Sequence, residues 1–283
     1  MSFKNYVAAD DYRVEGEKLA LYGSLCVLGI IFIILLKISV TFLLIVVAIS
    51  AGLVKIRQSQ LLGNCVKVKE DVFPEVYKSA QLAGSRLTMN MPDIFITMDP
   101  KINAFALGFF GRKSVVLNSA TVEAMNADEL NSILGHEFSH IKCAHTKWLV
   151  VTNSVESIKI PVVADIIGVI FMFWSRKSEY TADRGSLIVS RNVTSSMSAL
   201  AKVAVGKELY EKLNLQRYIE QIRDINDDEW AKLGEMLSSH PYLVQRLLAL
   251  LRFYKSERYK KITAEEESNN THIDSTEKKG SVE

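Results

Sequence analysis

The residues best placed to do chemistry stand together at His136-Glu137-Phe138-Ser139-His140. Side chains four positions apart share one face of a helix, so the two histidines would project together one turn apart. Two imidazoles placed in this way can bind one Zn²⁺ through nitrogen. Glu137 stands beside the first imidazole, where its carboxylate could act as general base toward a water on the metal. The spacing therefore predicts a zinc site with hydrolytic chemistry.

The flanking residues predict the helix that this motif needs. Asn126 is a favourable N-cap residue, and Glu129, three positions later, can complete a capping box. Leu130, Ile133 and Leu134 then recur at helical spacing and would bury the helix against a core. The alternative is an ordinary buried helix whose two histidines are satisfied internally, but the specificity of the motif favours the metal site.

A zinc site of this kind needs a third protein ligand, which leaves the fourth position for water. Glu179 and Asp183 are four residues apart and would share a helix face. A carboxylate from a separate helix is one standard third ligand, and Asp183 is spaced to orient a ligating histidine through a hydrogen bond. The spacing alone leaves open a solvated surface pair, because surface helices often carry such acids.

A third ligand close to the motif is not expected. Cys143 and Thr146 occupy the positions where one class of zinc peptidase carries a glycine and a third histidine. His145 lies five residues past His140, roughly 140° around a continuing helix, and would point away from the metal. We expect His145 to support the site from behind or to be structural.

Composition bounds the class of protein. The chain has 283 residues and a formal net charge of +2, so it can hold one or two domains and shows no basic excess typical of nucleic-acid binding. The three cysteines are scattered and odd in number, which argues against a disulfide framework and against a cysteine-based zinc site.

The N-terminal region predicts a membrane anchor. A charged head, residues 1–18, precedes the stretch 19–54, which is almost wholly apolar and interrupted by Lys37. A span needs about 20 residues, so this stretch is either one long tilted helix or two short spans that turn at residues 37–39. Basic residues flank both ends, and a hairpin keeps both on the cytoplasmic side, so we favour the hairpin. Residues 160–174 are also apolar but short, which favours a buried or interfacial helix over another span.

The remaining segments predict a small sheet among helices. Residues 70–89 have the pattern of an amphipathic helix, and three strands are expected at 93–98, 103–108 and 114–117, packed on the motif helix. Helices follow over 195–236 and 243–254. From residue 255 to 283 the chain is charged and lacks apolar periodicity, which predicts a disordered tail.

Several motifs lie along the chain: the apolar N-terminal stretch, Asn103-Ala104-Phe105-Ala106, the histidine motif with His145, Trp174-Ser175-Arg176 leading into Glu179, Ala182, Asp183 and Arg184, and His240-Pro241 with Arg246. Together they resemble the HtpX-type membrane zinc metallopeptidases, which are relatives of the CAAX prenyl proteases. The resemblance covers about residues 20–252 and implies a gluzincin endopeptidase. Its fold would be mainly α with a small β-sheet, with a transmembrane hairpin over 19–54 and the peptidase domain over 55–254.

The resemblance also implies roles for individual residues. Glu179 would be the third ligand of one Zn²⁺ per chain, and Glu137 the catalytic base. His240 and Asn103 match positions that lie beside the substrate in the relatives. His240 precedes a proline and so sits in extended backbone, where it could stabilise the negative charge that develops on the substrate. Asn103 heads a strand whose edge could pair with substrate backbone; the alternatives are a helix cap for His240 and a turn cap for Asn103.

The expected partners are protein or peptide substrates and the lipid bilayer, with the catalytic domain in the cytosol; the sequence does not decide the oligomeric state. The alternative function is a membrane-anchored, non-proteolytic binding or chaperone module that keeps a metal site. An intact base beside intact ligands favours the enzyme, because a binding module has no use for Glu137. In the type member of the family, two spans separate the zinc helix from the third ligand; the corresponding region here is shorter.

Overall fold

The computed structural model describes residues 7–38, 63–109, 112–148, 161–220 and 241–264, together with scattered residues between 40 and 59. Four of the sequence-based expectations therefore lie wholly or partly outside the described residues. They are the second span of the hairpin, the helical region beyond residue 220, His240, and the tail beyond residue 264. Helix α2 (Glu17–Ile38) continues through Lys37, so the turn expected at residues 37–39 does not begin before Ser39.

Helices make up most of the described chain, as expected. Residues 257–264 are also helical. The other helices whose bounds are described are α1 (Ala9–Tyr12), α3 (Pro74–Arg86), α4 (Ser119–Ala124), α5 (Ala127–Lys142), α6 (Pro161–Ser190), α7 (Val193–Val205), α8 (Lys207–Tyr210), α9 (Leu215–Glu220) and α10 (Leu243–Tyr254).

Four described strands form one sheet: β1 (Val66–Lys67), β2 (Asp93–Thr97), β3 (Ala104–Phe109) and β4 (Arg112–Asn118). Their order is β1-β2-β4-β3, with β2 parallel to β4 and the two outer strands antiparallel to their neighbours. The three predicted strands are present, whereas β1 was not predicted because two residues are too few to show an alternating pattern. Strand β3 forms an edge of the sheet and packs against the motif helix α5.

The motif helix α5 begins at the predicted cap. Asn126 Oδ1 accepts from the backbone N–H of Glu129 at 3.0 Å, and Glu129 Oε2 accepts from the N–H of Asn126 at 2.9 Å. This confirms the capping box, which satisfies two of the N–H groups that a helix start leaves without partners. Glu129 also accepts from Lys202 Nζ at 2.7 Å, which ties the start of α5 to helix α7.

Helices α5 and α6 pack closely because glycines stand where they cross. A Cβ atom on Gly185 would lie 1.7 Å from Ser139 Oγ, and one on Gly135 would lie 2.7 Å from Val189 Cβ. Real atoms do not approach so closely, so larger residues would push the helices apart. The contact places the faces that carry the histidine motif and Glu179 opposite each other.

Helix α6 corrects one expectation. The apolar residues 160–174 and the acidic pair were considered as separate features, but residues 161–174 and both acids lie on one 30-residue helix. Arg176 and Lys177 lie within this helix, and each contacts another residue. Arg176 lies over the Phe173 ring at 4.9 Å, and Lys177 Nζ donates to the carbonyl of Glu15 at 2.8 Å.

Both ends of the described chain pack on this core. Tyr12 and Glu17 are buried within the predicted head, and Tyr259 and Ile262 are buried beyond the predicted boundary at residue 255. The expectation of a disordered tail is therefore wrong over 257–264, because this apolar pair, three residues apart, gives a short helix one face to bury. Arg258 donates to the backbone carbonyls of residues 10, 11 and 13 and so joins the two ends.

Candidate active site

Three side chains from two helices meet at the predicted metal site. His136 Nε2 lies 3.1 Å from His140 Nε2, and Glu179 carboxylate oxygens lie 3.7 Å from the first and 3.4 Å from the second. Ligands of a tetrahedral zinc with bonds of about 2.05 Å are about 3.3–3.4 Å apart. The donor set and its spacing therefore fit a Zn²⁺ ion, with a fourth position left for water or substrate.

His136 is held from behind by a buried ion pair. Its Nδ1 lies 3.1 Å from Asp183 Oδ1, and Arg246 donates to both oxygens of Asp183, at 2.9 and 2.6 Å. Arg246 Nη1 also lies 3.3 Å from Glu179. Burial alone would raise the pKa of Asp183, but the Arg246 cation and His136 hold that pKa below its usual value. Asp183 is therefore an ionised acceptor, which fixes the proton of His136 on Nδ1 and turns Nε2 toward the metal position.

His140 is held from behind by a second histidine. Its Nδ1 lies 3.0 Å from His145 Nδ1, and His145 Nε2 lies 2.9 Å from Glu17 Oε1. The expectation that His145 supports the site or is structural agrees with this contact, but the predicted direction was wrong. Helix α5 ends at Lys142 and Ala144 takes φ 62°, so the chain turns and brings His145 back toward His140.

Glu137 lies in the setting that a general base needs. Burial raises the pKa of its carboxyl above the ordinary value, although both motif histidines oppose the shift. The carboxylate also accepts from the backbone N–H of Ala106, a residue of edge strand β3. A raised pKa makes the carboxylate a stronger base near neutral pH, so its environment suits proton abstraction.

The site opens into a cleft of about 580 Å³. One wall is edge strand β3 with Asn103 before it, and the opposite wall comes from helices α6 and α7. Mostly apolar side chains line the cleft around the polar site, as is usual for substrate pockets. The helical wall includes Gly168, Phe171, Met172, Ser175, Ala199, Leu200 and Val203.

The structure brings together most of the residues that the sequence singled out. His136, Glu137, His140, Glu179 and Asn103 line the cleft, and Asp183 lies behind His136. The backbone of Asn103 is anchored by Thr121, whose hydroxyl accepts from its N–H at 2.8 Å. His240 lies outside the described residues; the neighbouring Pro241 lines the cleft.

Two site residues were not assigned a role from sequence. Arg246 bridges Asp183 and Glu179, and Glu17 contacts His145 from 128 positions away in the chain. Arg246 entered only as part of a motif match, and Glu17 only as one acid of the N-terminal head. An acid at the start of an apolar helix was the available signal for Glu17, since a charge there needs a partner or water.

The histidine pair and the Glu179 carboxylate lie beside a cleft next to a small sheet, an arrangement typical of a metal-dependent hydrolase. Residues 70–253 match the model of peptidase family M48, and the chain belongs to that family. This confirms the resemblance to HtpX-type metallopeptidases.

Curated relatives agree with this assignment. A plastoglobule-localized metallopeptidase 48 of the Arabidopsis thaliana chloroplast is 26% identical over 216 residues, which are 71% of this chain and 63% of that protein. The chain thus spans less than two thirds of that relative. Protease HtpX homologs of Burkholderia cenocepacia and Burkholderia multivorans are each 22% identical over 230 residues, 69% of this chain and 80% of theirs.

Proposed function

We propose that this protein is a membrane-anchored, zinc-dependent endopeptidase that cleaves membrane or membrane-proximal proteins. The observation that carries the proposal is that His136, His140 and Glu179 each offer one ligand atom, and these atoms lie within 4.8 Å of one another beside the buried carboxylate of Glu137. These three residues would hold one Zn²⁺ per chain. When bound, the ion would polarise the scissile carbonyl and lower the pKa of water.

The protein's own residues supply the proton chemistry. Glu137 accepts the proton of the attacking water on its carboxylate and can then deliver it to the leaving amine. Its raised pKa supports this role, because the protonated form is not strongly disfavoured. Asp183 and Arg246 hold His136 in the tautomer and direction that ligation requires.

Edge strand β3 supports an extended substrate. A peptide laid along this edge would pair with backbone groups that β4 does not use, and its side chains would enter the apolar cleft. Asn103, at the head of β3, would hold the substrate, and His240, beside Pro241, would donate to the oxygen that gains negative charge. Both assignments stay predictions.

A membrane location is supported by helix α2 and the first part of α6. Among the described residues, the window Glu17–Ile34 is the one helix long and apolar enough to cross a membrane, with a mean hydropathy of 1.9. Its Ser24 hydroxyl donates to the carbonyl of Ile170 at 2.6 Å, so α6 packs along it. Val169 and Phe173 of α6 are more than half exposed, although neighbouring residues of α6 line the cleft. The cleft would thus lie beside the bilayer, near membrane-anchored substrates.

Metal content and cleavage measured together test this function. The full chain, purified in detergent, should carry one zinc per chain and cleave casein or a membrane-protein substrate. A chelator should stop cleavage, and added zinc should restore it. The alternative is a binding or chaperone module, which would bind zinc and unfolded protein yet leave every peptide bond intact. Zinc-loaded protein that cleaves no substrate, itself included, would favour that alternative.

A further inference from the structure

The two candidate ligand histidines are supported in parallel ways. His136 contacts a carboxylate directly, through Nδ1 and Asp183, and that carboxylate is paired with Arg246. His140 reaches a carboxylate through one intervening ring, since its Nδ1 contacts His145 and His145 contacts Glu17. Glu17, the carboxylate of this second path, lies outside the part of the chain that matches the family, which begins at residue 70.

The protons along this second path have one consistent arrangement. For the Nε2 of His140 to bind a metal, its Nδ1 must carry the ring proton and donate to His145 Nδ1. His145 Nδ1 is then an acceptor, so its own proton lies on Nε2 and is donated to Glu17 Oε1. A carboxylate can only accept, so in this arrangement every N–H along the path meets an acceptor.

Glu17 is itself fixed by several donors. Arg13 Nη1 donates to Oε1, and the hydroxyl of Thr181 donates to Oε2. Thr181 stands on α6 between Glu179 and Asp183, and its oxygen accepts from the N–H of Val14 at 2.9 Å. The Glu17 side chain is 1% exposed, as is that of His145. The N-terminal segment therefore contacts helix α6, which carries Glu179, and His145, which follows helix α5 in the chain.

We propose that Glu17, acting through His145, is the positioning carboxylate of His140, so that the first residue of helix α2 completes the metal centre. The inference rests on the proposed function, because it takes His140 as a ligand. It makes zinc affinity depend on a residue at the start of the candidate membrane helix. Carboxylates that orient ligand histidines typically contribute 10–100-fold to metal affinity.

Zinc affinity of the full chain in detergent, measured by competition with a chelating dye, tests the proposal. Glu17→Gln keeps the shape but removes the charge, and we expect zinc binding to weaken about 10–100-fold. Glu15→Gln is the matched control, because Glu15 is exposed two residues away; its affinity should stay at the wild-type value. The visible spectrum of the Co²⁺-loaded protein should also change in Glu17→Gln, whereas a purely structural residue would leave it unaltered.

Two variants of His145 test the same path if Glu17→Gln does not fold. In His145→Gln, the amide can still accept from His140 and donate to Glu17, whereas His145→Leu can do neither. His145→Gln should therefore bind zinc several-fold more tightly than His145→Leu. Equal affinities in this pair, or wild-type affinity in a folded Glu17→Gln, would overturn the positioning role. If His140→Ala binds zinc as tightly as the wild type, the ligand assignment itself fails, which is a separate result.

Discussion

At the scale of single residues, Glu179 and Asp183 have different proposed roles at the metal site, although both lie on helix α6. Glu179→Ala removes the proposed third ligand, so we expect loss of bound zinc and of cleavage, because two histidines make an incomplete site. Asp183→Asn keeps the shape and an acceptor for His136, so zinc affinity should fall only about 10–100-fold.

Zinc content and dye competition on the two purified variants check this difference. Asparagine is preferable to alanine at position 183, because alanine would also leave the buried Arg246 cation without its main partner. Full zinc occupancy in Glu179→Ala would show that another residue is the third ligand.

At the scale of the elements, the close crossing of α5 and α6 sets the distance between the histidines and Glu179. Gly185→Ala places a methyl group against Ser139, and overpacking of this kind costs roughly 1–3 kcal/mol. We expect a lower melting temperature and weaker zinc binding, because the ligand faces move apart. Gly23→Ala in α2 is the control, since a Cβ there meets no atom within 4 Å. Similar zinc affinity in the two variants would show that the crossing distance does not set the site.

The start of α5 should make stability depend on pH. Burial alone would raise the pKa of Glu129, but Lys202, Ser198 and the Asn126 N–H lower it below the ordinary 4.5. A lowered pKa in the folded state adds stability that is complete above the unfolded value and is lost as the pH falls through the folded value. Glu129→Gln should therefore cost about 2 kcal/mol at pH 7, as for a hydrogen bond to a charged group.

Melting curves from pH 7 down to about pH 3 check this dependence, with the exposed Glu123→Gln as control. The difference between wild type and Glu129→Gln should shrink as the pH falls below the unfolded-state pKa, because protons then bind the unfolded wild-type carboxylate before the folded one. A constant difference across this range would mean that the charge of Glu129 is not the source of the stability.

Local signals were enough to predict the motif helix, its cap and three of the strands. The capping box and the histidine spacing operate within a few residues, so the sequence shows them directly. Asp183 was also predicted to orient a histidine, but Arg246 and Glu17 could not be predicted as partners, because they lie 63 and 128 residues from Asp183 and His145. The direction of His145 depended on where α5 ends, and helix ends are poorly defined by pattern.

At the scale of the whole molecule, the contacts of Arg258 with residues 10, 11 and 13 place both ends of the described chain on the same side of helix α2. We therefore expect the N- and C-termini to face the same compartment, as the hairpin also requires. Basic residues flank the apolar stretch, which favours the cytosol as that compartment. Reporter fusions before residue 1 and after residue 283 should give matching signals. Signals from opposite sides would exclude the hairpin.

The most direct measurement of the central claim is zinc content and cleavage rate in Glu137→Gln. Glutamine keeps the size of the side chain and removes no ligand, but its amide cannot take up a proton as a carboxylate does. The variant should bind one zinc per chain with wild-type affinity and cleave at a rate below about 1% of wild type, since general bases contribute about 10²–10⁴-fold. Cleavage near the wild-type rate by zinc-loaded Glu137→Gln would contradict the assignment of Glu137 as the base.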